Sequence, residues 1–177
     1  MNPPIFTKPL QICVVVDDID GYMKTYTDDY GIGPWAIFEF NPDTITDMTI
    51  RGEKVDYAMT LAVCDFYGIQ WELIQPRDDH NLYTEFLKEH GPGLHHVAFA
   101  ADNHNKVVKW MAERGNRSLQ GGNLQGNVYT YLDTVKDLGF ITEIYNTPKN
   151  FVHPGPDRTY PPQDDKATAF SWDKNAF

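Results

Sequence analysis

Positive charge is scarce in this chain. Lysine and arginine number 15 against 25 aspartates and glutamates, leaving a formal net charge of -10. Nucleic-acid binding needs cationic side chains along the phosphates, and no basic run overrides the acidic field, so nucleic acid is excluded as a partner. Cysteine is scarcer still: only Cys13 and Cys64, each inside an apolar run, with no CxxC pair. That excludes a disulfide framework and implies two buried free thiols acting as small core hydrophobes in a reducing, cytoplasmic setting. No secretory apolar region opens the chain, and no run of eighteen apolar residues could span a bilayer, so no membrane association is expected.

What is present is enough for one core. A compact chain of 177 residues buries roughly 70% of its unfolded surface without staples. Leu10 to Val16 is a β-branched apolar run, expected as a buried strand. Asp17 or Asp18 caps a helix whose apolar side is Ile19, Tyr22, Met23 and Tyr26, closed by Gly31 and Gly33-Pro34. Trp35–Phe40, Val55–Val63 and Ile69–Ile74 read as strands, with residues 41–53 as a loop. Asp78 to His90 reads as an amphipathic helix. Gly91-Pro92-Gly93 breaks the chain before a strand that begins Leu94-His95-His96. A second capped helix carries Val107, Val108 and Met111, and strands follow at Leu119–Gln120, Val128–Leu132 and Gly139–Tyr145. Residues 148–177 are rich in Pro, Asp and Asn with scattered aromatics (Phe151, Tyr160, Phe170, Trp172), expected as a tail that wraps the body or a partner.

The two halves repeat. Strand, helix and three strands occur at 10–74 and again at 94–145. An offset of 85 lays Gln11 on His96, Val14 on Phe99 and Asp17 on Asp102, and an offset of 71 lays Glu72 on Glu143. The fold class is therefore α+β: tandem βαβββ modules forming a curved sheet around a metal-binding groove. Residues 1–147 make a single domain of two halves, about 8–76 and 93–147, followed by the tail. A carboxylate in the middle of an apolar strand is costly to bury unless paired or coordinated. Gln11, Glu72, His96 and Glu143, at matched positions, point to one divalent-metal site with three oxygen donors and one imidazole. That set suits Zn, Ni, Co or Mn, with Fe less favoured, and a catalytic metal in preference to a closed sulfur site. Successive strand side chains face opposite ways, so His95, with Trp71 and Gln75, is assigned to the other face. Tyr57, Met59, Trp35 and Phe38 are the candidates to line the groove.

The segments Glu72-Leu73-Ile74-Gln75-Pro76, Gly93-Leu94-His95-His96-Val97-Ala98-Phe99 and Thr142-Glu143-Ile144-Tyr145 resemble the vicinal oxygen chelate superfamily, which includes glyoxalase I, methylmalonyl-CoA epimerase, extradiol dioxygenases and bleomycin-resistance proteins. The resemblance spans about residues 8–147 and is greatest to the epimerase branch over 86–99. It places the superfamily's metal positions on Gln11, Glu72, His96 and Glu143. Epimerases of that branch mostly carry His at the first position, whereas Gln, Glu, His, Glu is the set of a eukaryotic-type glyoxalase I. The resemblance implies a metal-dependent isomerase, epimerase or glyoxalase-like lyase that forms an enolate on a small carbonyl or thioester substrate, usually as a homodimer. Glu143 is then the candidate base, with Glu72 on the other side and Asp56 near the second acid of the epimerase branch. A non-catalytic binder of the bleomycin-resistance kind is the alternative. An extradiol dioxygenase is disfavoured, because Gln11 stands where its two-His, one-carboxylate triad needs a histidine. No arginine constellation marks a glutathione or coenzyme A site.

Overall fold

The computed structural model describes residues 5–163. The first half runs β1 (Lys8–Val15), α1 (Ile19–Tyr30), β2 (Trp35–Phe40), β3 (Thr46–Ile50), β4 (Glu53–Lys54), β5 (Met59–Phe66) and β6 (Ile69–Pro76). After α2 (Leu82–His90) the second half runs β7 (Gly93–Ala100), α3 (His104–Glu113), β8 (Ser118–Leu124), β9 (Asn127–Leu132), α4 (Val135–Leu138) and β10 (Ile141–Asn146). β11 (Arg158–Tyr160) follows. Among the described residues no helix is both long and apolar enough to cross a membrane.

The strands form one sheet in the order β11-β2-β5-β6-β1-β7-β10-β9-β8-β3-β4. Within it the first half reads β1-β6-β5-β2 outward from the centre and the second reads β7-β10-β9-β8, the same βαβββ connectivity twice. β1 and β7 pair antiparallel at the junction. The loop expected at 41–53 instead contains β3 and β4. β3 crosses to the other half and pairs with β8, so its partner lies some seventy residues away in sequence, beyond the reach of local patterning. The strand expected from Val55 starts only at Met59, and α2 starts at Leu82, where the Asn81 side chain accepts from Thr84 N–H.

Strand alternation divides the core. On β2, Trp35 and Ile37 face outward with Ile19 and Met23 of α1, while Ala36, Phe38 and Phe40 face inward. Full burial of Ile19 or Met23 contributes about 1.5–3 kcal/mol each. α1 ends where Gly31 takes the left-handed conformation, φ 69°, as a C-terminal glycine can at no steric cost. α3 covers the outer face of the second half through Val107 and Met111 against Leu132 and Ile144. Both helices thus sit outside, and the inner face of the curved sheet is left for the site.

The described part of the C-terminal segment lies on the body. β11 pairs antiparallel with β2, Asp157 Oδ2 accepts from Glu39 N–H at 2.8 Å, and Arg158 pairs with Asp20 at 2.8 Å. Phe170 and Trp172 lie outside the described residues.

Candidate functional site

Period-two alternation on the four central strands builds the site. β1 presents Gln11, Cys13 and Val15 inward, β6 presents Glu72 and Ile74, β7 presents His96 and Ala98, and β10 presents Glu143 and Tyr145. Register aligns them: Cys13 lies opposite both Glu72 and His96, and Glu143 opposite Ala98.

The four expected residues meet, all buried. Gln11 Nε2 donates to Glu72 Oε1 at 2.9 Å and also to Gln70 Oε1. His96 Nε2 stands 3.2 Å from Glu72 Oε2 and 3.2 Å from Glu143 Oε2. The Tyr145 hydroxyl lies 2.8 Å from Glu143 Oε2 and 3.0 Å from Gln11 Oε1, closing the ring. Burial alone would lower the His96 pKa, but Glu143 and then Glu72 outweigh it and lift it to about 9. Burial pushes the Glu143 carboxyl up, against the pull of His96. An imidazolium flanked by two carboxylates balances these charges, each of which would otherwise cost several kcal/mol to bury.

A metal fits this arrangement. Despite the close approach, His96 Nε2 and Glu72 Oε2 make no contact with hydrogen-bond geometry, and both are buried with no hydrogen-bond partner. Two unsatisfied atoms converging on one point are rare in a folded core, and a cation satisfies both. Donor atoms of Cys13, Glu72 and His96 lie within 4.8 Å of one another. Cys13 was read as an ordinary core thiol; it is a buried free cysteine, but it also forms the floor of the site. The signal was available, since Cys13 is two residues from Gln11 on one strand and must share its face. Its thiol is held protonated by burial and by Glu72.

His95 corrects the alternation argument. The register of β7 against β1 slips between His96 and Leu94, a bulge centred on His95. A bulge re-aims the extra side chain, so both rings point inward and their Nδ1 atoms lie 2.9 Å apart, one N–H donating to the other. Tyr83 and Phe86 pack on His95, with ring centroids 5.4 and 5.1 Å away. Trp71 and Gln75 do face the α1 side; Gln75 accepts from Ile19 N–H and donates to Asp17 C=O. Trp35 also faces α1 and does not line the groove. Asp56 is not brought to the cluster. It lies in the irregular segment before β5, where its carbonyl accepts from His80.

A shell of tyrosines, not anticipated from sequence, surrounds the polar floor. Tyr57 and Tyr129 share a 2.6 Å hydroxyl contact, Tyr57 donates to Gly121 C=O at 2.9 Å, and Tyr83 and Tyr131 meet at 2.8 Å. Gly121 and Gly122 permit this packing: a Cβ on Gly122 would stand 2.5 Å from the Tyr129 hydroxyl. Above the floor opens a cavity, partly open to solvent, with Gln11, Glu72 and Glu143 among its lining residues.

The curved tandem βαβββ sheet and its inward-facing polar cluster define a class. The chain belongs to the glyoxalase/bleomycin resistance protein/dioxygenase superfamily, whose sequence model matches residues 10–130. No curated protein sequence matches the chain significantly. Among solved structures it is similar to methylmalonyl-CoA epimerase from Mycobacterium tuberculosis (16% identity, 84% of this chain and 94% of that one, TM-score 0.56). It is also similar to a hypothetical protein from Bacillus halodurans (15% identity, 82% and 98%, TM-score 0.62). A variant of the Streptomyces coelicolor epimerase in complex with 2-nitronate-propionyl-CoA matches at 19% identity over 84% and 99%, TM-score 0.58. At these identities the likeness is one of fold.

Proposed function

We propose that this protein is a divalent-metal-dependent isomerase, epimerase or glyoxalase-like lyase that moves a proton through an enolate. The observation that carries this reading is the convergence of the buried His96 Nε2 and Glu72 Oε2, neither in a hydrogen bond, beside a second carboxylate, Glu143. His96, Glu72, Glu143 and Gln11 are the residues to hold the metal, with Cys13 beneath them. Nitrogen and oxygen donors of this kind suit Zn, Ni, Co or Mn. A bound cation supplies Lewis-acid stabilisation of the negative charge that develops on a substrate oxygen.

The chain's own groups do the rest. Metal binding needs a neutral imidazole with a free Nε2 lone pair, so Nδ1 of His96 carries the proton and donates to His95 Nδ1, fixing the ring. Glu143 is the base. Tyr145 and His96 both address its Oε2, leaving Oε1 to take a proton from the carbon next to a carbonyl. The C–H electron pair becomes the carbon–carbon double bond of the enolate, and the carbonyl oxygen takes the charge. Burial raises the proton affinity of Glu143, toward the range useful to a general base. The proton returns to the same carbon or to its neighbour, and Glu72 stands ready on the other side.

The test is solvent exchange. Metal-loaded protein in heavy water, given a panel of α-hydroxyketones and thioesters, is expected to place deuterium on the carbon next to the carbonyl, and Glu143→Gln to stop it. Binding without exchange for every compound would remove the enolate reading and leave a small-molecule binder of the bleomycin-resistance kind.

A further inference from the structure

The walls of the cavity restrict the substrate, an inference that rests on the enolate reading and deepens it. Beyond the polar floor the lining is aromatic or aliphatic: Phe40, Met59, Leu61, Leu124, Tyr129 and Phe151 among others. Asn127 adds an amide whose oxygen accepts from Thr147. His153 completes the wall edge-on to Phe38, with ring centroids 4.9 Å apart, and burial lowers its pKa to about 4, so it is neutral at physiological pH.

Among the described residues no lysine or arginine lines this cavity, and the charged side chains that do are Glu72 and Glu143. The adjoining groove shares Phe40 and Leu124 with it. Among the described residues the charged ones in that groove are Glu39, Asp43 and Asp157, again with no lysine or arginine. Three arginines of the described residues are engaged elsewhere, Arg51 with Glu85, Arg158 with Asp20 and Arg77 with Thr60. A coenzyme A thioester brings a pyrophosphate and a ribose phosphate, and a glutathione conjugate brings two carboxylates. Such anions are recognised by arginine forks or lysine. Here they would meet like charge, in the field of a chain whose net charge is -10, and like-charge juxtaposition is how a site rejects a wrong partner.

We propose that the site takes a neutral α-hydroxyketone with an aromatic or branched apolar body, and that it rejects coenzyme A thioesters and glutathione conjugates. The carbonyl and hydroxyl oxygens face Gln11, Glu72 and Glu143, and the body lies against Phe40, Leu61, Leu124 and Phe151.

Ligand-detected NMR and calorimetry on the full chain, metal-loaded and metal-stripped, test this with three probes: phenacyl alcohol, acetyl-CoA and S-methylglutathione. Phenacyl alcohol is expected to bind, and the two anionic probes to show no binding at concentrations that saturate it. Phe151→Ala and, as a second variant, Leu61→Ala should each weaken phenacyl alcohol by about tenfold. Acetyl-CoA or S-methylglutathione binding as tightly as phenacyl alcohol, or phenacyl alcohol failing to bind, overturns the proposal. The two readings fail separately. Phenacyl alcohol bound by protein that holds no metal and exchanges no proton leaves the substrate class standing and removes the enolate. Proton exchange on a thioester with no affinity for the ketone does the reverse.

Discussion

Tyr145→Phe isolates a single atom of the site. The Tyr145 hydroxyl lies within reach of Glu143 Oε2 at 2.8 Å and Gln11 Oε1 at 3.0 Å. A phenol has one proton to give, and the closer, charged acceptor takes it. Phenylalanine keeps the ring and its packing but removes that proton, leaving a buried carboxylate oxygen with only His96 nearby. A hydrogen bond to a charged group contributes about 1.5–3 kcal/mol net, and in a domain of this size 1 kcal/mol moves the melting temperature by about 2–4 °C. Metal-stripped Tyr145→Phe should therefore melt about 3–12 °C below metal-stripped wild type. Far-ultraviolet circular dichroism reports the transition, and the spectrum before melting verifies that the sheet is intact. A shift under about 1 °C would refute the reasoning, because it would mean that Glu143 Oε2 is satisfied some other way.

Two further predictions follow from the same geometry. Gly122→Ala places a methyl 2.5 Å from the Tyr129 hydroxyl and 2.7 Å from Ile45 Cγ2; Tyr129 is tied to Tyr57 and cannot simply yield, so about 1–3 kcal/mol of overpacking cost should appear as a lower urea midpoint. The third concerns pH. In the metal-free protein His96 holds a proton up to about pH 9, above its usual value near 6.5, and a metal must displace it. Apparent metal affinity should thus fall by about tenfold for each pH unit below 9. The same shift makes its contribution to metal-free stability fully present below about pH 6.5 and lost as pH rises through 9. Competition with a chelating dye across pH 6 to 9 checks the first part, and a flat profile would contradict it.

Much of the fold was legible because the chain states it twice. The apolar run at β1 and the Leu-His-His-Val run at β7 each precede a capped helix, and Glu72 and Glu143 recur near the last strand of each half. That repetition predicted the tandem βαβββ sheet and brought Gln11, Glu72, His96 and Glu143 to one place before any distance was known. What stayed hidden depends on partners remote in sequence or on a break in regularity. β3 looks like a loop because the strand that satisfies its backbone is β8 of the other half. His95 was assigned outward by an alternation rule that one bulge overturns. The tyrosine pairs join residues as much as 72 positions apart, and no local pattern announces such a contact. Trp35 is misplaced by the opposite error: its strand does alternate, so Trp35 and Phe38, three residues apart, cannot both face the groove, and only Phe38 faces inward.

The central claim is that one divalent cation sits among His96, Glu72, Glu143 and Gln11, and metal content tests it most directly. Elemental analysis of freshly purified protein beside His96→Ala should show about one divalent ion per chain in the first and loss of that ion in the second, at unchanged folded content by circular dichroism. No metal in the wild-type protein after incubation with Zn, Ni, Co and Mn, or equal metal in both proteins, would contradict the account.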